Sequence, residues 1–433
     1  MKNDVLELEC SDLTIEGLGI CKRDGRVYFV KGLLPGERAM VKVVKDAGRV
    51  VYGIVTELLA ESEHRVVPDC AIAYKCGGCD LRHVDYDYQL VLKKKLLMNT
   101  FARMGIVAEI GDIIGDDEPL YYRNKVQVPI RDGKFGFYRK NSNDIVEFEE
   151  CFIQSALANE IVLSLKAKLL GLGITDYFRH ILIKHARGTG EVMLGLIVNS
   201  STVPHLKEAV GAIVREFPAI CSVILNVNKR NDNVILGEEE VLLWGRDYIE
   251  DVFAGIRVRL SLKSFYQVNT NQMIKLYDQV VKVAQLNGEE RVLDLFSGIG
   301  TISLYISRYV KAVVGVEIVE AAVLNAKDNA LLNGIENVEF FLDDASARLD
   351  HYLADKDVVI VDPPRKGLSK ELIASLVDSG IGHIVYVSCN PATLARDLQI
   401  FGEWFDFSYI QPVDMFPGTL HCECVVSLRR RDA

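Results

Sequence analysis

The feature that most restricts this chain is RVLDLFSGIGTISLYISRYVKAVVGVEI, residues 291–318. An apolar run ends in two glycines one residue apart, an amphipathic stretch follows, and a second apolar run closes on Glu317. This order predicts a strand that turns sharply into a helix and returns as a parallel neighbour. From Leu260 onward strand-like and helix-like runs keep alternating, which predicts a doubly wound α/β sheet of Rossmann-like type.

Glycines in such a turn let a ligand approach the backbone, and an acid ending the second strand can accept ribose hydroxyls. A dinucleotide site would carry G-x-G-x-x-G, but the third glycine position here is Ser303. D-L-F-x-G-x-G fits S-adenosylmethionine better, although a plain strand-to-helix turn would read the same way. In DVVIVDPPRKGL an apolar strand ends on Asp362, and two prolines stiffen the turn that holds this carboxylate at the ligand-binding edge of the sheet. The bland alternative is a rigid loop.

HIVYVSCNPATLARDL places Cys389 at the end of the next strand, on the same edge. A cysteine closing an apolar run is usually packing. Beside a methyl-donor site it acquires a second use, because C5 of uracil is too weak a nucleophile to attack a methyl sulfonium unaided. A thiolate added at C6 makes C5 electron-rich, and a base must then remove the C5 hydrogen. In LHCECVVSLRR, period-two alternation puts Cys422 and Cys424 on an apolar face, as core residues rather than metal ligands, and Glu423 on the opposite face.

The 433 residues, 49% of them hydrophobic and 25% charged, allow about three domains at roughly 150 residues each. Short β-rich runs separated by Gly, Asp and Pro-Gly turns predict an N-terminal β-barrel over 1–60. A central α+β domain is expected over 61–92 and 121–260, and the methyltransferase domain over 93–120 and 261–433. The start is acidic without an apolar core and no run of about 18 apolar residues occurs, so a cytoplasmic protein with no membrane contact is expected.

A formal charge of −10 argues against indiscriminate nucleic-acid binding. Residues 121–140 are an exception, with Arg123, Lys125, Arg131, Lys134, Arg139 and Lys140 against Asp132 and five aromatics interleaved. That mix suits RNA phosphates and unstacked bases, or else a solvated hairpin. Ten cysteines in a reducing compartment read as thiols, ligands or nucleophiles. Cys70, Cys76 and Cys79, with Cys151 far downstream, give a C-x-x-C plus two outliers, for which zinc is as good a reading as an iron–sulfur cluster.

LDLFSGIGTISL, VDPPRKGL, VSCNPATLARDL and FPGTLHCECVV, with RVVPDC, CGGC, YYRNKVQVPI and SFYQVN, together resemble the bacterial RNA (uracil-5-)-methyltransferase family over essentially the whole chain. GLGICKRDGRVYFVKGLLPGE resembles its TRAM domain, an oligonucleotide-binding-type barrel. The resemblance implies Cys389 as nucleophile and Glu423 as the base. It implies Gln267, Phe296, Glu317, Asp344 and Asp362 as S-adenosylmethionine contacts, and Cys70, Cys76, Cys79 and Cys151 as ligands of a [4Fe-4S] cluster. It further implies 23S ribosomal RNA as substrate rather than transfer RNA, because the common bacterial transfer-RNA enzyme lacks both the barrel and the cluster cysteines. No obligate protein partner is expected.

Overall fold

The computed structural model describes residues 2–431, without the side chains of 345–347. Strands β1 (Val5–Leu13), β2 (Leu18–Arg23), β3 (Arg26–Lys31), β4 (Arg38–Ala47) and β5 (Val50–Ala60) close a barrel in the order β1-β2-β3-β5-β4. Alternate residues Leu8, Cys10, Tyr28, Val30, Val41 and Val43 fill it, as a period of two requires. Gly53 keeps β5 close to β4: a Cβ there would lie 2.3 Å from Val41 Cγ1.

Helix α1 (Tyr86–Arg103) follows the cysteine-bearing loop, starting where the Asp85 side chain accepts from Tyr88 N. The short β6 (Glu109–Ile110) comes next. The central sheet contains β7 (Lys125–Arg131), β8 (Lys134–Tyr138), β9 (Ile145–Glu147), β10 (Phe178–His185), β11 (Val192–Val198), β12 (Ile220–Val227) and β13 (Glu239–Gly245). Its order is β13-β12-β11-β10-β7-β8-β9. Helices α2 (Ala156–Gly171) and α3 (Leu206–Glu216) cover one face with an apolar core. The other face shares a core with the ribbon β14 (Tyr248–Phe253) and β15 (Ile256–Ser261) and with the C-terminal sheet.

After α4 (Thr270–Ala284) the chain alternates through β16 (Arg291–Leu295), α5 (Thr301–Ile306), β17 (Ala312–Glu317), α6 (Glu320–Leu332), β18 (Val338–Leu342) and α7 (Ala345–Leu353). It continues through β19 (Val358–Val361), α8 (Lys370–Asp378), β20 (His383–Ser388), α9 (Pro391–Phe401), β21 (Phe405–Asp406), β22 (Tyr409–Val413) and β23 (Glu423–Arg430). The sheet runs β18-β17-β16-β19-β20-β23-β22-β6, with β21 also paired to β23. β16 to β20 are parallel and β23 is antiparallel to β20. The chain reverses its winding between β16 and β19, where open α/β sheets bind ligands.

Two sets of polar contacts fix the domains. Asn329 on α6 and Asn333 at its C-cap accept from Arg259 N and Arg257 N at 2.7 and 2.8 Å, so their amides continue the β15 edge. On α1, the fully buried Lys93 ammonium donates to Asp414 Oδ1 at 2.6 Å and to Phe416 O at 3.1 Å, and Tyr86 donates to Asp414 Oδ2 at 3.1 Å. No helix among the described residues is long and apolar enough to cross a membrane. Lys93→Met leaves the Asp414 carboxylate buried without a counter-charge, so a loss of about 3–5 kcal/mol is expected, read as a lower urea midpoint. Adding Asp414→Asn should recover part of it.

Candidate active site

At the turn after β16, Phe296, Gly298 and Gly300 all have positive φ (66°, 56° and 84°). The loop is held from β17: Phe296 N and Ser297 N donate to Val316 O at 3.0 and 3.1 Å. Glu317 accepts from Gly298 N at 3.0 Å through one oxygen and from Val319 N at 2.9 Å through the other. The carboxylate is thus fixed in place with lone pairs to spare. A Cβ on Gly298 would meet nothing within 4 Å, whereas one on Gly300 would strike Phe340 at 2.5 Å. Gly298 therefore leaves backbone open to a ligand, and Gly300 serves packing. Ser303, in the third glycine position, donates to Asp294 Oδ2 at 2.5 Å. Burial, with the charge of Asp362 adding to it, pushes Asp294 up to about 7.

Exposed Ile318, Val319 and Leu342 flank Glu317, which pairs with Leu342 across the ladder. An adenosyl group fits here: open backbone at Gly298, a fixed carboxylate, and apolar walls. Asp344 lies just beyond β18 at the same edge, exposed, its N–H donating to Asp343 Oδ1 at 2.9 Å. Gln267 arrives from elsewhere, on the loop between β15 and α4. Its carbonyl accepts from Asn124 Nδ2 at 2.8 Å. Lys184 anchors this loop by donating to Ser261 O and Ser264 O at 2.6 and 2.8 Å, and Asn325 on α6 donates to Ser264 Oγ at 3.2 Å.

Strand register builds the rest. Val361 pairs with Tyr386 and Ser388 with Cys424, so Asp362 and Cys389 follow at adjacent carboxyl ends while Glu423 opens β23 beside Cys389. Asn390 terminates β20 and caps α9 by accepting from Ala392 N at 3.1 Å, with Pro391 in the first turn. Glu423 is only 2% exposed and its Oε2 has no hydrogen-bond partner. It is not the solvated strand carboxylate that alternation alone allows. Burial and the Asp362 charge raise Glu423 well above the usual carboxylate range, opposed by Arg365. Burial raises Asp362 to about 7. Cys389 is half-buried and pushed up to about 11 by burial and by the charges of Glu423 and Asp362, again opposed by Arg365. Cys422 and Cys424 sit in the apolar core on the other face.

Three neighbours escape sequence reasoning. Arg365, in VDPPRKGL, is the cation acting on both Cys389 and Glu423, and its guanidinium lies 3.0 Å from His421 Nδ1. A cation three residues past the acid is its only signal. Tyr277 on α4 bonds Thr301 Oγ1 at 2.7 Å and feels the Asp362 and Glu423 charges. Phe265, 65% exposed beside Gln267, presents a bare ring.

Cys70, Cys76, Cys79 and Cys151 are brought together, but away from this edge, lining one cavity of about 280 Å³. Gly77 lets the loop approach β8, its N–H donating to Tyr138 O at 2.9 Å. Among the described residues, no three His, Cys, Asp or Glu side chains are placed to hold a metal ion, so the geometry as it stands shows neither a zinc nor an iron–sulfur site. Burial pushes Cys79 up to about 12 and Cys151 up to about 11, with neighbouring cysteine thiolates adding to both. Arg123 and Lys125 line the same cavity, and Arg123 Nε and Gln154 Oε1 are buried without a hydrogen-bond partner. This corrects the reading of residues 121–140 as one RNA-facing surface: its first two cations turn inward. Composition reports the charges of a strand but not which face looks at a cavity.

Residues 341–431 match the tRNA (Uracil-5-)-methyltransferase family profile and residues 286–381 a methyltransferase-domain profile. An uncharacterized RNA methyltransferase of Clostridium acetobutylicum is 41% identical over 100% of this chain and 98% of its own length. Another, from Halalkalibacterium halodurans, is 40% identical with the same coverage. The structure of Pyrococcus abyssi tRNA (uracil-54, C5)-methyltransferase in complex with S-adenosyl-L-homocysteine superposes with a TM-score of 0.79 at 27% identity, covering 97% of this chain and 99% of that one. With the glycine loop, the Asp-Pro-Pro turn and the thiol at the strand end on one sheet edge, the chain belongs to the RNA (uracil-5-)-methyltransferase family.

Proposed function

We propose that this protein methylates C5 of a uridine in 23S ribosomal RNA, with Cys389 as nucleophile and Glu423 as base. The observation that carries the reading is the register that sets a buried, unpartnered carboxylate beside a thiol at the glycine-loop edge. S-adenosylmethionine, when bound, supplies an electrophilic methyl. Phe296, Gly298, Glu317 and Asp362, with Gln267 and Asp344 on the flanking loops, would hold it. The Cys389 thiolate adds to C6, and the C5=C6 electron pair becomes available at C5. After methylation, Glu423 takes the C5 hydrogen as a proton, the C5–H pair reforms C5=C6, and the C6–S bond breaks to return the thiolate. The target base must leave its stack to reach this edge, and exposed Phe265 offers it a ring to rest on.

The barrel and the cysteine loop face each other across a groove of about 740 Å³ lined by Phe29, Lys31, Tyr52, Tyr74 and Lys140. Aromatic faces with cations suit single-stranded RNA, and this groove takes the place of Arg123 and Lys125 as the RNA path. The barrel, read as a TRAM domain, does not by itself choose the substrate, because the Pyrococcus transfer-RNA enzyme is covered over its whole length. That match favours transfer RNA as the second reading. Mapping 5-methyluridine in ribosomal and transfer RNA, with and without the protein, decides between them: loss confined to transfer RNA would overturn the 23S reading.

A [4Fe-4S] cluster on Cys70, Cys76, Cys79 and Cys151 accounts for the second cavity. An iron–sulfur cube spreads its four thiolates to separate corners, which suits cysteines around a cavity better than a single ion does, and its anionic charge suits the cations in the wall. Anaerobically purified protein should be brown, with a broad visible absorption lost in Cys76→Ser. Colourless protein with stoichiometric zinc would contradict this.

Cys389→Ala should bind RNA and cofactor yet transfer no methyl, while Glu423→Gln should accumulate a covalent, methylated protein–RNA species on denaturing gels. RNA with 5-fluorouridine should trap the wild type, since fluorine does not leave as a proton. Near-normal turnover by Cys389→Ala would sink the mechanism. Because burial and the nearby carboxylates push Cys389 up to about 11, its thiolate fraction should grow about tenfold per pH unit between pH 7 and 9. The 5-fluorouridine trapping rate should climb with that slope, and a flat profile would show that bound RNA has already lowered the thiol.

A further inference from the structure

We infer that the loop Asp414–His421 is a positioning device for Glu423, acting through Gly418 and its partner Gln89 and setting the rate of C5-hydrogen removal rather than of methyl transfer. The inference rests on the proposed role of Glu423.

The loop joins β22 to β23, which begins with Glu423. Every other module grips it. Gly418 O accepts from both Asp80 N and Leu81 N at 3.0 Å, the two amides that follow Cys79. Gly418 N donates to Gln89 Oε1 on α1 at 2.9 Å, and Gln89 is itself fixed by donating to Val84 O at 2.9 Å. Tyr122, from the central domain, donates to Pro417 O at 3.1 Å. Leu420 packs so closely on the barrel that a Cβ on Gly17 would lie 2.7 Å from its Cδ1. At the other end, Gln272 on α4 donates to Asp414 O at 2.9 Å.

Glu423 needs this support because its Oε2 is buried without a partner, so its place is set by the backbone on either side, the β22 pairing and the preceding loop. Cys389 is delivered differently, by β20 and the Asn390 cap. Loosening the loop therefore shifts the base and leaves the nucleophile in place. Gly418 is the sensitive point, since its φ of 79° is a conformation that alanine adopts only with strain.

The test uses full-length Gly418→Ala and Gln89→Leu, an unmodified 23S ribosomal RNA transcript, and S-adenosylmethionine labelled in the methyl. Gln89→Leu removes the acceptor of Gly418 N without touching the loop sequence, which keeps the test open if Gly418→Ala fails to fold. Both variants should keep first-turnover methyl transfer within about twofold of wild type while the labelled covalent species on denaturing gels rises about tenfold, the mark of a slowed base step. A purely structural role would lower both steps together and leave that species at the wild-type level, which would overturn the inference. Glu423→Gln run alongside separates the failures. If it accumulates the species and the loop variants do not, this inference falls alone; if it does not accumulate it, the assignment of Glu423 falls and takes the inference with it.

Discussion

The antiparallel pairing of β23 on β20 is the constraint on which the site depends. In a purely parallel sheet every strand offers its carboxyl end to the ligand edge, so only residues just past a strand end can be placed there. Reversing one strand lets a residue at an amino end reach the same edge. The Ser388–Cys424 register puts Glu423 next to Cys389, and a slip of one residue would turn Glu423 into the opposite core and bring a cysteine forward. The buried apolar residues on both sides, Val425 in one core and Cys424, Val426 and Leu428 in the other, hold that register.

The same packing makes the electrostatics expensive. Glu423 and Asp294 are buried acids, Asp362 and Cys389 half-buried ones, and Arg365 is the cation that opposes the upward shifts at Cys389 and Glu423. Burial disfavours each charge, and each charge disfavours the next. Every one of these groups is shifted upward by burial and by its neighbours' charges. A carboxylate so placed is a stronger base than one in water, which suits removal of a hydrogen from carbon.

Much of this is legible in the strand-ending motifs, because the residues after an apolar run must lie at one edge of a parallel sheet whatever the details of packing. Phe296, Glu317, Asp362 and Cys389 are placed by that rule alone. Alternation likewise separates Glu423 from Cys422 and Cys424. It does not carry the identity of the neighbour facing each side. Arg123 and Lys125 alternate like solvent-facing cations yet look into the cysteine cavity, and Glu423 alternates like an exposed acid yet is covered. Ser303 reads in the sequence only as a missing glycine, and its purpose appears once Asp294 is seen beneath it. Arg365 and the grip on Gly418 depend on contacts between distant segments, and no local pattern announces them.

Those long-range contacts show why an RNA methyltransferase keeps three modules rather than one. A methyl donor needs only the glycine loop and the acid beyond it, both supplied within residues 291–318. The Cys389 thiol and the Glu423 carboxylate come from two further strands, and the groove between barrel and cysteine loop lies apart from both. Lys93 ties α1 to the loop before β23, α1 leads out of the cysteine loop, and the cysteine loop abuts the barrel, where Lys140 bonds both Asp80 and Glu16 O at 2.7 and 3.1 Å. The barrel is thus linked through fixed polar contacts to the loop that precedes Glu423, whereas Cys389 and Glu317 are placed by β20 and β17 inside the sheet. Glu423 thus has two supports, the β20–β23 register that sets it beside Cys389 and the preceding loop that the other modules hold.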